Sequence, residues 1–129
     1  SSGITTEVSF DIQDGQICSD RDKIRQALLN LLNNAKDAMD KDGAIQVRLT
    51  NVEDGFLLTV KDSGTGIDHA IAKEIFKPFF TTKTKGTGLG LAIVKKICEA
   101  LRGDITFVSN QNGTEFRFFI RDLSKDEQR

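Results

Sequence analysis

A chain of 129 residues with 38% hydrophobic and 29% charged residues is the size at which one core closes, since domains cluster near about 100 to 150 residues, so residues 1–129 are expected to form a single domain. Its net charge of -1 excludes a general nucleic-acid or membrane-binding surface and leaves room only for local basic patches. No apolar run approaches the roughly 18 residues of a membrane span, and the opening "SSGITTEV" has neither part of a signal peptide, so the chain as given is expected to be soluble; its two cysteines, read as reduced, point to a cytoplasmic compartment, with membrane anchoring of the parent protein left open.

Val8, Phe10 and Ile12 alternate with Ser9 and Asp11, the period of a half-buried strand. "DGQIC" then reads as a turn with a short returning strand. "SDRD" at 19 to 22 has the spacing of a capping box, and apolar residues at 24, 27, 28, 31, 32, 35, 38 and 39 follow at helical intervals, with Gly43 as the stop. "AIQVRLTN" (44–51) and "GFLLTVKD" (55–62) are expected to be neighbouring antiparallel strands. A glycine turn, a short helix near 69 to 75 and a loop with Phe76, Pro78, Phe79 and Phe80 come next. A second long helix over about 89 to 101 is stopped by Gly103, and "DITFVS" and "TEFRFFI", joined by "NQNG", supply two more strands. The ordered core is expected over about 5–122, with polar tails at 1–4 and 123–129. Cys18 and Cys98 lack metal-ligand or redox spacing and read as reduced residues in or near the core.

Three stretches stand out chemically. "NLLNNAKDAM" (30–39) sets three asparagines in a helix, where each costs roughly half a kcal/mol against better formers. On a helical wheel Asn34 lies at the edge of the apolar stripe, Asn30 lies beside it one turn earlier, and Asn33 points to solvent. Two amides on one flank of a core helix serve either a buried backbone group or a ligand. "DSGTG" (62–66) follows a strand directly, and its glycines allow backbone to approach a flat ligand. The carboxylate of Asp62 can accept from the 6-amino group of adenine, whereas guanine presents an oxygen there. "GTGLG" (86–90) runs into a helix start, whose free N–H groups and dipole favour phosphate. It matches neither a dinucleotide fingerprint nor a Walker sequence.

In chain order "NLLNNAKDAM", "DSGTGI", "FKPFFTTK", "GTGLGLAI" and "NGTEFRF" resemble the N, G1, F, G2 and G3 boxes of the GHKL superfamily, in particular the catalytic and ATP-binding domain of two-component sensor histidine kinases. The resemblance covers about residues 5 to 121 and implies an α/β two-layer sandwich, a mixed β-sheet covered on one face by helices (the Bergerat-type fold), with nucleotide held beneath a mobile lid. It implies ATP and Mg²⁺ as ligands. Asn34 would bind Mg²⁺ through its amide oxygen and Asn30 would assist at the metal or the phosphates, both counted as catalytic. Oxygen ligation by neutral amides suits a metal that keeps waters and phosphate oxygens in its shell.

By the same resemblance Asp62 is the adenine-binding aspartate, Gly64 and Gly66 form the turn beside the base, and Thr114 lies near both. Lys83, Lys85, Gly86, Thr87, Gly88, Leu89 and Gly90 would form the phosphate side of the lid. Phe76, Phe79 and Phe80 either pin the lid or meet the acceptor helices. Asn30 stands where hydrolysing relatives such as the Hsp90 and gyrase families carry a glutamate, so phosphoryl transfer is expected over hydrolysis. The only histidine, His69, lacks the neighbours of a phosphoacceptor and reads as a surface residue. The acceptor is therefore expected on a separate helical-hairpin domain of the same kinase, with a response regulator downstream and this piece alone monomeric. Two other readings remain open, a GHKL serine kinase of the anti-sigma-factor type and a non-catalytic adenine-nucleotide-binding module.

Overall fold

The computed structural model describes residues 3–12, 19–40, 42–80 and 90–126. Five strands, β1 (Gly3–Asp11), β2 (Asp42–Val52), β3 (Gly55–Asp62), β4 (Asp104–Asn110) and β5 (Gly113–Arg121), form one sheet in the order β1-β2-β3-β5-β4. β1 and β2 run parallel, and the other pairings are antiparallel. A parallel pair needs a long crossover. Helix α1 (Arg21–Asp37) lies between β1 and β2 in the chain, and α2 (Gly90–Ala100) precedes the β4–β5 hairpin. The mixed sheet and its helices are the α/β arrangement expected from the motifs.

Strand register explains why one face is buried. Val47, Val60, Phe116 and Phe107 form one cross-sheet row, and Leu49, Leu58, Phe118 and Ile105 form the next. Side chains alternate between the faces of a strand, so both rows point the same way. They meet Ala27, Leu31 and Ala35 of α1 and Val94, Ile97 and Cys98 of α2 in one core. The Cys98 thiol is pushed up to about 12 by burial, which leaves it unreactive. Cys18 lies outside the described residues, as does the returning strand expected at "DGQIC".

Several local expectations are corrected. Ser19 does not cap α1; Asp20 does, its Oδ1 accepting from Lys23 N at 3.1 Å. α1 ends at Asp37 with Ala38 as its cap, and Gly43 already belongs to β2. The turn after α2 is made by Arg102 at φ 59°, with Gly103 N donating to Cys98 O and Arg102 N to Glu99 O, the paired bonds of a Schellman ending. The helix expected near 69 to 75 is a single 3₁₀ turn, His69–Ile71. The stretch read as a polar tail begins with a helical turn, α3 (Leu123–Asp126). Val8 and Phe10, read as the buried side of a strand, are 55% and 69% exposed. They pair with Val47 and Leu49, but β1 is an edge strand, and α1 packs chiefly against α2 and, on the sheet, more on β3 than on β2.

Candidate functional site

The cross-sheet rows turn polar at one end. Beyond the valine and phenylalanine row the inward positions are Ile45, Asp62, Thr114 and Ser109, with Ile45 opposite Asp62 and Ser109 opposite Thr114. Asp62 is only 2% exposed and Thr114 4%. A carboxylate so placed needs hydrogen bonds. Its Oδ1 accepts from Gly64 N at 2.8 Å and from Thr114 N at 3.3 Å. Oδ2 receives no hydrogen bond among the described residues, so one oxygen is held by backbone and the other is left for a donor. Burial raises the Asp62 pKa above the ordinary aspartate value, and the two backbone bonds lower it by less.

The turn that follows is pressed against the β4–β5 hairpin. Gly66 has φ 86°, and a Cβ there would stand 2.0 Å from Asn110 O; Gly113 has φ 140°, and its Cβ would stand 2.0 Å from Asp62 O. Both positions combine a backbone conformation that side chains avoid with a contact no side chain fits. Gly113→Ala is expected to destabilise the fold by about 2 kcal/mol or more, read as a lower denaturant midpoint with unchanged slope. An unchanged midpoint would show that the hairpin does not need this approach.

On the helix side Asn33 is exposed, as expected, and Asn30 and Asn34 are half-buried. Asn30 Nδ2 donates to Gln26 O at 3.0 Å, which turns its Oδ1 outward. That oxygen lies 3.5 Å from the point where a Cβ on Gly90 would stand, so it faces the first turn of α2. The Asn34 amide makes no hydrogen bond among the described residues. Lys83, Lys85, Gly86, Thr87, Gly88 and Leu89 lie outside the described residues.

Three residues without an assigned role help to build the site. Ser63 Oγ accepts from Ala44 N at 2.9 Å and donates to Met39 Sδ at 3.5 Å, joining the turn to the start of β2 and the residues after α1. Ser109 Oγ accepts from Ile67 N at 2.7 Å, and Gly113 is the third. The phenylalanines divide. Phe76 packs against Phe107 and Phe116 with ring centroids 6.2 Å from each, and Phe80 also joins the core. Phe79 is 74% exposed at φ 67°. His69 is exposed.

A buried aspartate beside a glycine turn thus stands at one end of the sheet, with two half-buried asparagines on one flank of α1. The model of the histidine kinase-, DNA gyrase B- and HSP90-like ATPase family matches residues 19–124. The chain belongs to this family and, within it, to the catalytic domains of sensor histidine kinases. It is similar to the C4-dicarboxylate transport sensor protein DctB of Rhizobium meliloti, 45% identical over 78% of this chain and 17% of that protein. It is also similar to the signal transduction histidine-protein kinase AtoS of Escherichia coli, 40% identical over 83% of this chain and 18% of that protein. The chain thus spans less than a fifth of these relatives. Among solved structures, the catalytic domain of histidine kinase ThkA superposes with a TM-score of 0.78 at 36% identity, covering 91% of this chain and 79% of that one. ThkA in complex with the response regulator protein TrrA gives 0.73 at 31%, covering 91% and 34%.

Proposed function

We propose that this chain binds Mg-ATP and transfers its γ-phosphoryl group to a histidine on the phosphoacceptor hairpin of the same kinase, on the cytoplasmic side, within a two-component pathway. The observation that carries the reading is the buried carboxylate of Asp62, with Oδ1 occupied by two backbone N–H groups and Oδ2 free of described partners. An acceptor fixed in this way takes the 6-amino group of adenine and repels the 6-oxygen of guanine. Gly64 and Gly66 bring backbone against the base, and Thr114 stands beside the carboxylate.

The residues present fit Mg²⁺. Among the described residues no group of three or more His, Cys, Asp or Glu could hold a metal, and the proposed oxygen donors are the side-chain amides of Asn34 and Asn30, both half-buried on one flank of α1. Bound with phosphates and waters, the ion supplies charge neutralisation at the transferring group. In the transfer an acceptor imidazole nitrogen forms a bond to the γ-phosphorus as the bond to the β-phosphate oxygen breaks, and ADP leaves. The neutral amide of Asn30 does not draw a proton from water, which favours the protein acceptor. Exposed Phe79 is proposed to meet the acceptor helices, and a response regulator to receive the phosphoryl group downstream. The chain by itself is proposed to be a monomer.

Calorimetry with ADP, ATP, GDP and GTP tests the reading. Adenine nucleotides are expected to bind at least about tenfold more tightly than guanine nucleotides, the equivalent of roughly 1.4 kcal/mol from one well-placed hydrogen bond. Equal affinities would remove Asp62 from its role.

A further inference from the structure

The helix layer leaves one strand bare. α2 packs over β4 and β5 and α1 over β2 and β3, and neither packs on β1 beyond a marginal contact. Yet β1 is apolar on that face. Val8 stands opposite Val47 and Phe10 opposite Leu49, so both point to the side on which the core lies, where they stay 55% and 69% exposed. Across the gap lies the flank of α1 turned away from α2. Asn30 faces the first turn of α2, and on the helical wheel Leu28 and Leu32 lie on the opposite side. Both are half-buried, and Leu29 beyond them is 54% exposed. The result is an apolar trough between β1 and α1, continuous with the core and left open by the described residues.

The trough also has a sign. The arc of α1 that runs from Leu28 through Leu32 to Leu29 holds Arg21, Arg25 and Lys36 and no acidic residue. All three cations are exposed, and none has an ion-pair partner among the described residues. The inward positions of β1 add no charge, since Glu7 and Asp11 alternate to the other face. A partner that fits this surface therefore carries an apolar stripe with carboxylates along the edge that meets α1. A helix set beside α1 extends the layer that α1 and α2 already form over the sheet. Size and direction give its source. Five apolar side chains fall well short of the roughly 800 Å² per partner that a freely associating pair buries, whereas a tethered segment acts at an effective concentration of roughly mM. As the crossover between two parallel strands, α1 runs opposite to β1, so a helix parallel to α1 ends beside Gly3 and joins β1 through a short loop. The solved catalytic domain of ThkA is matched over 79% of its length, so that domain holds chain with no counterpart in residues 1–129. We infer that the trough is the docking site of an amphipathic helix of the same natural polypeptide, one with aspartate and glutamate flanking its apolar stripe, which lies beside α1 and leads into β1. α1 then carries the proposed metal donors on one flank and the docked helix on the other.

Hydroxyl-radical footprinting of the whole natural polypeptide, set against the 129-residue chain, reads the trough directly. Phe10 is expected to lose about four-fifths or more of its labelling in the longer polypeptide, because docking takes it from 69% exposed to the burial of a core residue. Added sodium chloride, and Arg21→Glu combined with Arg25→Glu, are each expected to raise that residual labelling by about twofold or more. Both arginines lie outside the proposed nucleotide site, far-UV circular dichroism checks that the variant folds, and the salt series decides if it does not. Equal labelling of Phe10 in the two polypeptides overturns the proposal. So does a Phe10 already protected in the 129-residue chain, which then covers its own trough. Protection of that chain that grows with its concentration gives the trough to a second copy and overturns the proposal too. Protection in the longer polypeptide that responds to neither salt nor charge reversal overturns the acidic helix.

Discussion

Asn34→Ala is expected to lower Mg²⁺-dependent phosphotransfer to an added acceptor domain by about a hundredfold or more, the usual scale for losing a group that stabilises charge on a transferring phosphoryl. The variant should be no less stable than the parent. Asn34 lies inside α1, its amide has no described partner, and alanine is the better helix former by about 0.5 kcal/mol or more. A structural asparagine would behave in the opposite way, with stability falling and transfer following it. Metal-free ADP should bind nearly as before, since the base pocket at Asp62 is untouched. Transfer rates, thermal melts and calorimetry with and without Mg²⁺ separate the two accounts. Unchanged transfer in a folded variant would remove Asn34 from the metal site.

The helix flank that carries Asn30 and Asn34 was readable in advance because a helical wheel depends only on spacing. Asn33 is exposed and the other two half-buried, as the wheel requires. Strand existence was equally legible, since alternation is a local property. What periodicity could not supply was where each strand sits. Val8 and Phe10 alternate correctly yet stay exposed, because their strand is at the edge, and edge position follows from the order of all five strands. Capping moved by one residue because Ser19 and Asp20 are both competent caps and the backbone chooses between them. Arg102 in the left-handed turn had no signal at all, since the glycine beside it drew the expectation.

The site divides along the same line. Asp62, Gly64, Gly66 and Thr114 lie in contiguous motifs and are brought together as the order of those motifs implied. Ser109 belongs to no such motif. Its contact with Ile67 spans 42 residues, and it is set by the pairing of Ser109 with Thr114 across a two-residue hairpin loop. That hairpin was visible in "NQNG", so the pairing was available as a signal, but the polar row it completes exists only once β5 lies beside β3.

Asp62→Asn is expected to weaken ADP binding by about thirtyfold or more while the fold survives. The backbone requirement is met by the variant, because an amide oxygen at Oδ1 can still accept from Gly64 N and Thr114 N. The nitrogen must then occupy the other position and present a donor to the donor group of adenine. Replacing a charge-assisted hydrogen bond by two opposed donors costs about 2 kcal/mol or more, which is the thirtyfold. Acidity provides an independent check. Burial raises the Asp62 pKa, so the acceptor is lost by protonation at a higher pH than for an exposed aspartate, and ADP affinity should fall as pH drops through that raised value. The asparagine variant should lack this particular fall. Stability runs the other way: the folded state binds this proton more readily than the unfolded chain, so the contribution of Asp62 is fully present below the unfolded pKa and is lost as pH rises through the folded one. The stability of the variant relative to the parent should therefore improve as pH rises across that window. Calorimetry and denaturant unfolding of both proteins over a pH series read the two trends. A variant that binds ADP like the parent at neutral pH, or a parent whose ADP affinity shows no acid-side loss beyond that of the variant, would place the adenine contact elsewhere.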